Sequence, residues 1–378
     1  MSEAALSLEP PLEAARPRAP NRAVEFLVTG GLTLVLFPVL WLCRRTLGLD
    51  EAELAVGFLA FHAAHVINDP HFSVTYLLFY RDVRGRALGD VFDSAQRVRY
   101  WIAGLVVPIF LVGWASAALA WRSAASLGLM MELMFLLVGW HYVKQGFGVL
   151  SVLSARRGVQ YSALERWAVL AHCFAGWAYA WANPSGPARE VEQSGVVYVA
   201  LARPALLELV SGVAFAGTAL AAAWVLARKW KREKTAPPLA PVVGLLVSVW
   251  AWTVFSSVDP LMVYLIPALH SVQYLYFVWL LRRGAPQSDD AGFGPSSRQR
   301  LVVLSLSALA LGWVLFRGAP ELLDGAFGGR AGRLSDLQLA LGPTPFFAAF
   351  FAVVNVHHYF MDHVIWRRDN PETRALRQ

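Results

Sequence analysis

Apolar stretches about 20 residues long recur along almost the whole chain, each long enough to cross the roughly 30 Å hydrocarbon core of a bilayer as a helix. With 57% of its 378 residues hydrophobic and only 16% charged, the chain is too apolar for an ordinary soluble domain, and none fits between the stretches. Apolar runs between charged or Pro/Gly breaks give ten expected spans: 24–43, 54–80, 101–121, 125–153, 163–182, 204–227, 238–256, 261–281, 301–316 and 344–366. The expected fold is all-α, a polytopic transmembrane helical bundle forming one domain over 23–368. Residues 1–22, rich in Ala, Pro, Glu and Arg, read as a disordered cytoplasmic tail. The first apolar run is too long for a signal-peptide core, so it reads as an uncleaved anchor helix. Residues 369–378 read as a second cytoplasmic tail, 284–297 as a flexible loop, and the apolar patch Val196 to Ala202 as a segment lying along the interface.

Basic residues sit in short clusters between the apolar runs, which argues for topology rather than for nucleic-acid binding despite the net charge of +7. With the amino terminus inside, the inner segments hold 24 Lys and Arg and the outer loops 8, the asymmetry expected when both termini are cytoplasmic. A bacterial inner membrane is the expected location. Cys43 and Cys173 lack any CxxC spacing, so neither a disulfide framework nor a sulfur-ligated metal is indicated.

All nine histidines fall within the expected spans. Ionisable groups inside a membrane are costly and usually face a bundle interior, which makes each a functional candidate. In the second span, His62, His65 and Asp69 share one helical stripe, and Pro70 is expected to kink or restart the helix with Asp69 as its cap, aiming His71 separately. In the last span, Asn355, His358, Asp362 and Trp366 share a face, while His357 is rotated by about 100° and His363 lies on another side. His363 is read either as an interfacial residue beside Arg367 or as a ligand. The fourth span places His141, Lys144 and Gln145 together, and the eighth His270, Gln273 and Tyr274. Lys144 is expected to pair with Asp69, Asp362 or a substrate anion, or to snorkel to the inner surface. His172 stands alone and reads as a packing residue.

At about 1.5 Å per residue, His71, His141, His270 and His358 lie roughly 12 to 18 Å from the cytoplasmic ends of their spans, in one layer. Imidazoles with one or two carboxylates suit iron, with zinc or copper as alternatives. The expected metal ligands are His62, His65, Asp69, His71, His141, His270, His357, His358 and Asp362. Lys144, Gln145, Gln273 and Tyr274 are the expected catalytic side chains.

The histidine content resembles that of the integral-membrane non-haem iron oxygenases, namely the fatty-acid desaturase and hydroxylase group and the carotene dioxygenases of the Brp/Blh type. The paired element His357-His358 carries the likeness; His62-x-x-His65 stands where the desaturase group has HxxxxH and HxxHH boxes. The resemblance implies one or two irons that activate oxygen. The substrate is then an apolar lipid or isoprenoid arriving through the membrane, and an external electron donor serves any reaction that needs one. No flavin or nucleotide motif and no covalent-haem motif is present. Other classes open at this point are a metal-ion or proton-coupled transporter, a haem-binding electron carrier and a lipid transferase working without metal.

Overall fold

The structure, a computed structural model, describes residues 21–284, 297–329 and 333–377; the expected loop 284–297, apart from its two end residues, and most of the expected amino-terminal tail lie outside them. The first helices are α1 (Arg22–Leu47), α2 (Leu49–Ala64), α3 (Asn68–Phe79), α4 (Ser94–Ala120), α5 (Ala124–Ala155) and α6 (Ala163–Ala182). A two-stranded antiparallel hairpin, β1 (Arg189–Gln193) and β2 (Val196–Ala200), separates these from the rest. There follow α7 (Ala205–Glu233), α8 (Leu239–Val258), α9 (Met262–Gly284), α10 (Arg298–Phe327) and α11 (Pro345–Ile365). The chain is an integral-membrane helical bundle: α1, α4, α5, α7, α8, α9 and α10 are each long and apolar enough to cross a bilayer. The helix α11 has the length to cross, but Asn355, its histidines and Asp362 make it more polar than those seven.

Several boundaries differ from those expected. Helix α1 already begins at Arg22, where the Asn21 side chain caps it by accepting from the Ala23 amide at 2.9 Å. The expected second span is two helices. The chain leaves helical geometry at 65–67 and restarts at Asn68, placing Pro70 in the first turn of α3, where its missing donor costs nothing. Asp69 is not the cap; it is one residue inside α3, with Oδ2 3.4 Å from His65 Nδ1. The patch Val196 to Ala202 contributes a strand instead of an interfacial segment. Val196 and Tyr198 are buried, and the Tyr198 ring fills the space left by Gly128 on α5. The carboxy-terminal tail docks as a short helical segment, Pro371–Arg377, with Arg86 paired to Glu372 at 2.8 Å and Leu376 buried.

Helix α5 forms the centre of the bundle. At 32 residues it is about 48 Å long, well beyond the bilayer core, and it packs against α6, α8, α11 and β2. Ser123 caps its start, and Ser162 with Glu165 forms a capping box that starts α6. Helix α11 lies against α3, α4, α5 and α10. Helix α10 closes on α3 through Gly312, where a Cβ would come within 2.9 Å of the Asp69 backbone. Helix α1 widens at Leu27–Gly31, and the Thr29 carbonyl there accepts from Gln273 Nε2 of α9 at 2.6 Å. The elements that carry the polar layer, α3, α5, α9 and α11, thus meet around one point.

Candidate metal centre

His71 stands in the first turn of α3 because the chain breaks just before it. That break lets the imidazole point into the bundle, while the preceding helix α2 keeps its own direction. His71 Nδ1 lies 3.1 Å from Ser271 Oγ on α9. The Ser271 hydroxyl has two acceptors of its own, the Pro267 carbonyl at 2.8 Å and Asn68 Oδ1 at 2.9 Å, leaving a lone pair for a proton on His71 Nδ1. This assignment puts the His71 proton on Nδ1 and turns a bare Nε2 toward α5 and α11.

Three more side chains face it. One ligand atom from each of His71, His141, His358 and Asp362 lies within 4.8 Å of the others, and all four residues are buried. His141 Nε2 is 3.7 Å and His358 Nε2 3.4 Å from Asp362 Oδ2. His270 adjoins the group, its Nε2 3.0 Å from His141 Nε2 and its ring stacked on Tyr142 at 3.9 Å. Ligand atoms held about 2.1 Å from one ion lie roughly 3.0 to 3.4 Å apart, and the His141–His270 and His358–Asp362 separations are of that size.

The carboxylate of Asp362 is oriented from one side. Its Oδ1 accepts from Tyr274 at 2.8 Å and from Trp366 Nε1 at 3.2 Å, with Thr75 Oγ1 at 3.5 Å. Thr75 in turn lies 2.6 Å from the Tyr274 hydroxyl. Oδ2 is left to the histidines. Donors on one oxygen fix which oxygen a cation can use, the usual work of residues behind a ligand.

Hydrogen bonding shows what these groups lack. His71 Nε2, His270 Nδ1 and both nitrogens of His358 are buried with no hydrogen-bond partner among the described residues. Stranding one polar group in an apolar interior costs about 1 to 3 kcal/mol, and lipid offers no water to relieve it. His358, wholly buried, has no other use for either nitrogen in view. The residues fit a cation: neutral imidazole lone pairs and one carboxylate oxygen converge, and thiolates are absent from the group.

Other expected ligands stand elsewhere. His62 is exposed and packs edge-on to Phe58 and Phe61. His65 and Asp69 bind each other at the α2–α3 break, away from the cluster, because the break turns the stripe they share off the α3 axis. His357 is satisfied by the Tyr76 hydroxyl at 2.9 Å and the Ala103 carbonyl at 3.0 Å, as its 100° rotation from His358 allows. His363 lies beside Trp140 and Arg367. His172 accepts from Trp250 Nε1 at 3.0 Å and also contacts Thr218. We expect the double variant His62→Ala/His65→Ala to retain the metal content of the parent; metal analysis of the two proteins side by side checks this.

Of the expected catalytic residues, Tyr274 holds Asp362. Gln145 and Gln273 bond each other at 2.8 Å, and Gln145 also donates to the His270 carbonyl at 3.1 Å, so the pair braces α5 against α9. Lys144 makes no ion pair with Asp69 or Asp362; it lies half-buried in the wall of a cavity of about 560 Å³ that also reaches His141 and Asp362. Thr75 and Ser271 escaped sequence reasoning. Their signal was positional: Thr75 lies one turn after His71, and Ser271 directly follows His270.

No family model, no curated protein and no solved structure matches this chain.

Proposed function

We propose that this chain is a membrane metalloenzyme, a non-haem iron oxygenase acting as hydroxylase, desaturase or dioxygenase on a lipid or isoprenoid from the cytoplasmic half of the bilayer. The observation that carries the reading is the convergence of His71, His141, His358 and Asp362 around buried ring nitrogens that nothing else satisfies. Imidazole with carboxylate is a donor set that suits iron, and iron so held supplies oxygen chemistry. His71, His141, His358 and Asp362 would hold it, with His270 beside them, while Ser271, Tyr274, Thr75 and Trp366 orient the ligands. Zinc and copper are the other ions this donor set accepts.

The cavity supports the choice of an apolar substrate. It reaches the cluster at His141, Tyr274, Tyr359 and Asp362 and has room for a small organic molecule, within the roughly 300 to 1,000 Å³ usual for such sites. Among the described residues the histidine nitrogens left without a partner, on His71, His270 and His358, all belong to this cluster, which favours a bound ion over the transporter reading, in which polar groups line the full thickness of the membrane. The same reading takes the seven apolar helices together with α6, α11 and the broken α2–α3 segment as ten crossings. It places both termini in the cytoplasm and the chain in a bacterial inner membrane. A reductase would supply electrons for hydroxylation or desaturation, whereas a dioxygenase needs none.

The test is twofold. Purified protein should carry about one iron per chain and show no Soret band. Cells grown under labelled dioxygen should yield a lipid that carries the label in a strain with the gene and lacks it in a strain without. Protein free of every transition metal after chelator-free purification, or a Soret band at full occupancy, overturns the reading.

A further inference from the structure

The cavity that meets the cluster carries a marked charge imbalance. Its wall includes Lys144, Arg166, Arg367 and Arg368, against a single carboxylate, Asp362, whose oxygens are committed to Tyr274, Trp366 and the histidines. Arginines at the cytoplasmic end of a bundle are ordinary topology signals. Lys144 is not at an end. It lies three residues past His141 on α5, about 4.5 Å further along the axis, with eleven helical residues still to follow. No carboxylate pairs with it among the described residues. Lys144 and Arg367 are close enough to bear on each other's charge, and both bear on His363, whose Nε2 lies 3.4 Å from Arg367. Arg367 shares its guanidinium with Asp369 at 3.0 Å, while Lys144 and Arg166 pair with no carboxylate among the described residues, and of these two Lys144 stands on α5 one turn from His141.

The remaining wall is mixed: Gln145, Ser151, Gln160 and Thr373 contribute polar groups, while Phe147, Val149, Val152, Phe277 and Leu376 form an apolar stretch beside Gly148, which contributes no side chain. Along α5 the lining runs from His141 to Ala155, about 21 Å of helix. A long trough with an apolar stretch and with Lys144 and Arg367 near the cluster matches a molecule with an apolar chain and a charged head. A charged group that leaves water for such a site must find its counter-charge there, and a neutral substrate would leave Lys144 uncompensated.

We propose that the cavity binds a single-chain amphiphile with an anionic headgroup, carboxylate or phosphate, held by Lys144 together with Arg367. The proposal deepens the oxygenase reading and rests on it for the claim that the bound molecule is substrate; the binding itself does not depend on metal. With the head at Lys144, about 4.5 Å along the axis from His141, the headgroup end of the molecule is the end nearest the cluster, and the chain runs along the trough toward Ala155.

The experiment measures binding to the full-length protein in a neutral detergent by native mass spectrometry. The ligands are oleate, oleoyl lysophosphatidate, oleyl alcohol and inorganic phosphate. Both anionic amphiphiles should bind at least tenfold more tightly than oleyl alcohol, and phosphate should neither bind nor displace oleate. Lys144→Met should abolish the preference for oleate over the alcohol, and Lys144→Arg should restore most of it, which separates loss of charge from loss of fold. Equal binding of oleate and oleyl alcohol by the parent overturns the proposal, as does an undiminished preference in Lys144→Met. Saturation by phosphate alone would assign the site to a free anion and overturn it equally. His358→Ala serves as the control: it should keep the oleate preference while losing metal. A parent protein that lacks metal but keeps the preference refutes the oxygenase reading without touching the headgroup site.

Discussion

His358→Ala should cost the purified protein at least a hundredfold in metal affinity, about 2.7 kcal/mol, while His357→Ala, one residue along the same helix, should leave metal content unchanged. Both side chains are buried on α11, so a general effect of burial predicts the same result for the two. Their surroundings differ. His358 offers two nitrogens with no other partner, 3.4 Å from a carboxylate that Tyr274 and Trp366 hold in place. His357 spends its nitrogens on Tyr76 and the Ala103 carbonyl. Removing it strands those groups and should destabilise the protein by about 1 to 3 kcal/mol, visible as a lowered melting temperature in detergent. Metal-to-protein ratios and thermal unfolding of the two variants, measured in parallel, decide the matter. Metal retained in His358→Ala would end the proposed coordination.

Gly148→Phe is expected to lower turnover at least tenfold, about 1.4 kcal/mol or more in effective barrier, with metal content intact. A Cβ at Gly148 meets nothing within 4 Å, and the residue lines the cavity, so an added ring enters open space on the substrate's side of the cluster. The helix should tolerate the change, since glycine in a helix interior is roughly 1 kcal/mol worse than alanine. The readout is the labelled lipid of the gene-carrying strain: it should fall in cells expressing the variant at parental levels. Unaltered product would show that substrate reaches the ion by another route.

The bundle and the heart of its polar layer are legible in the sequence because both follow from spacing along single helices. Counting 1.5 Å per residue places His71, His141, His270 and His358 at one depth, and those four meet. Depth says nothing of direction. Of the stripe His62, His65 and Asp69, the structure brings His65 and Asp69 together, but the helix ends at Ala64, well ahead of the kink expected at Pro70, so these residues do not lie along one helix. His357 misleads for a related reason: its partners come from α3 and from the backbone at Ala103, contacts that no local pattern encodes. The hairpin is hidden because Val196 to Ala200 reads as apolar in any setting, and only Gly128 on a distant helix shows where Tyr198 goes.

The close approach at Gly312 gears two helices that share no ligand. Helix α10 contributes nothing to the cluster, yet its contact with Asp69 sets how deeply the first turn of α3 sits, two residues ahead of His71. Elsewhere on its lipid-facing surface α10 can exchange one apolar side chain for another at little consequence. At this single position the absence of a methyl group becomes a tolerance on where an imidazole of the candidate centre stands, set from a helix that contributes no side chain to it.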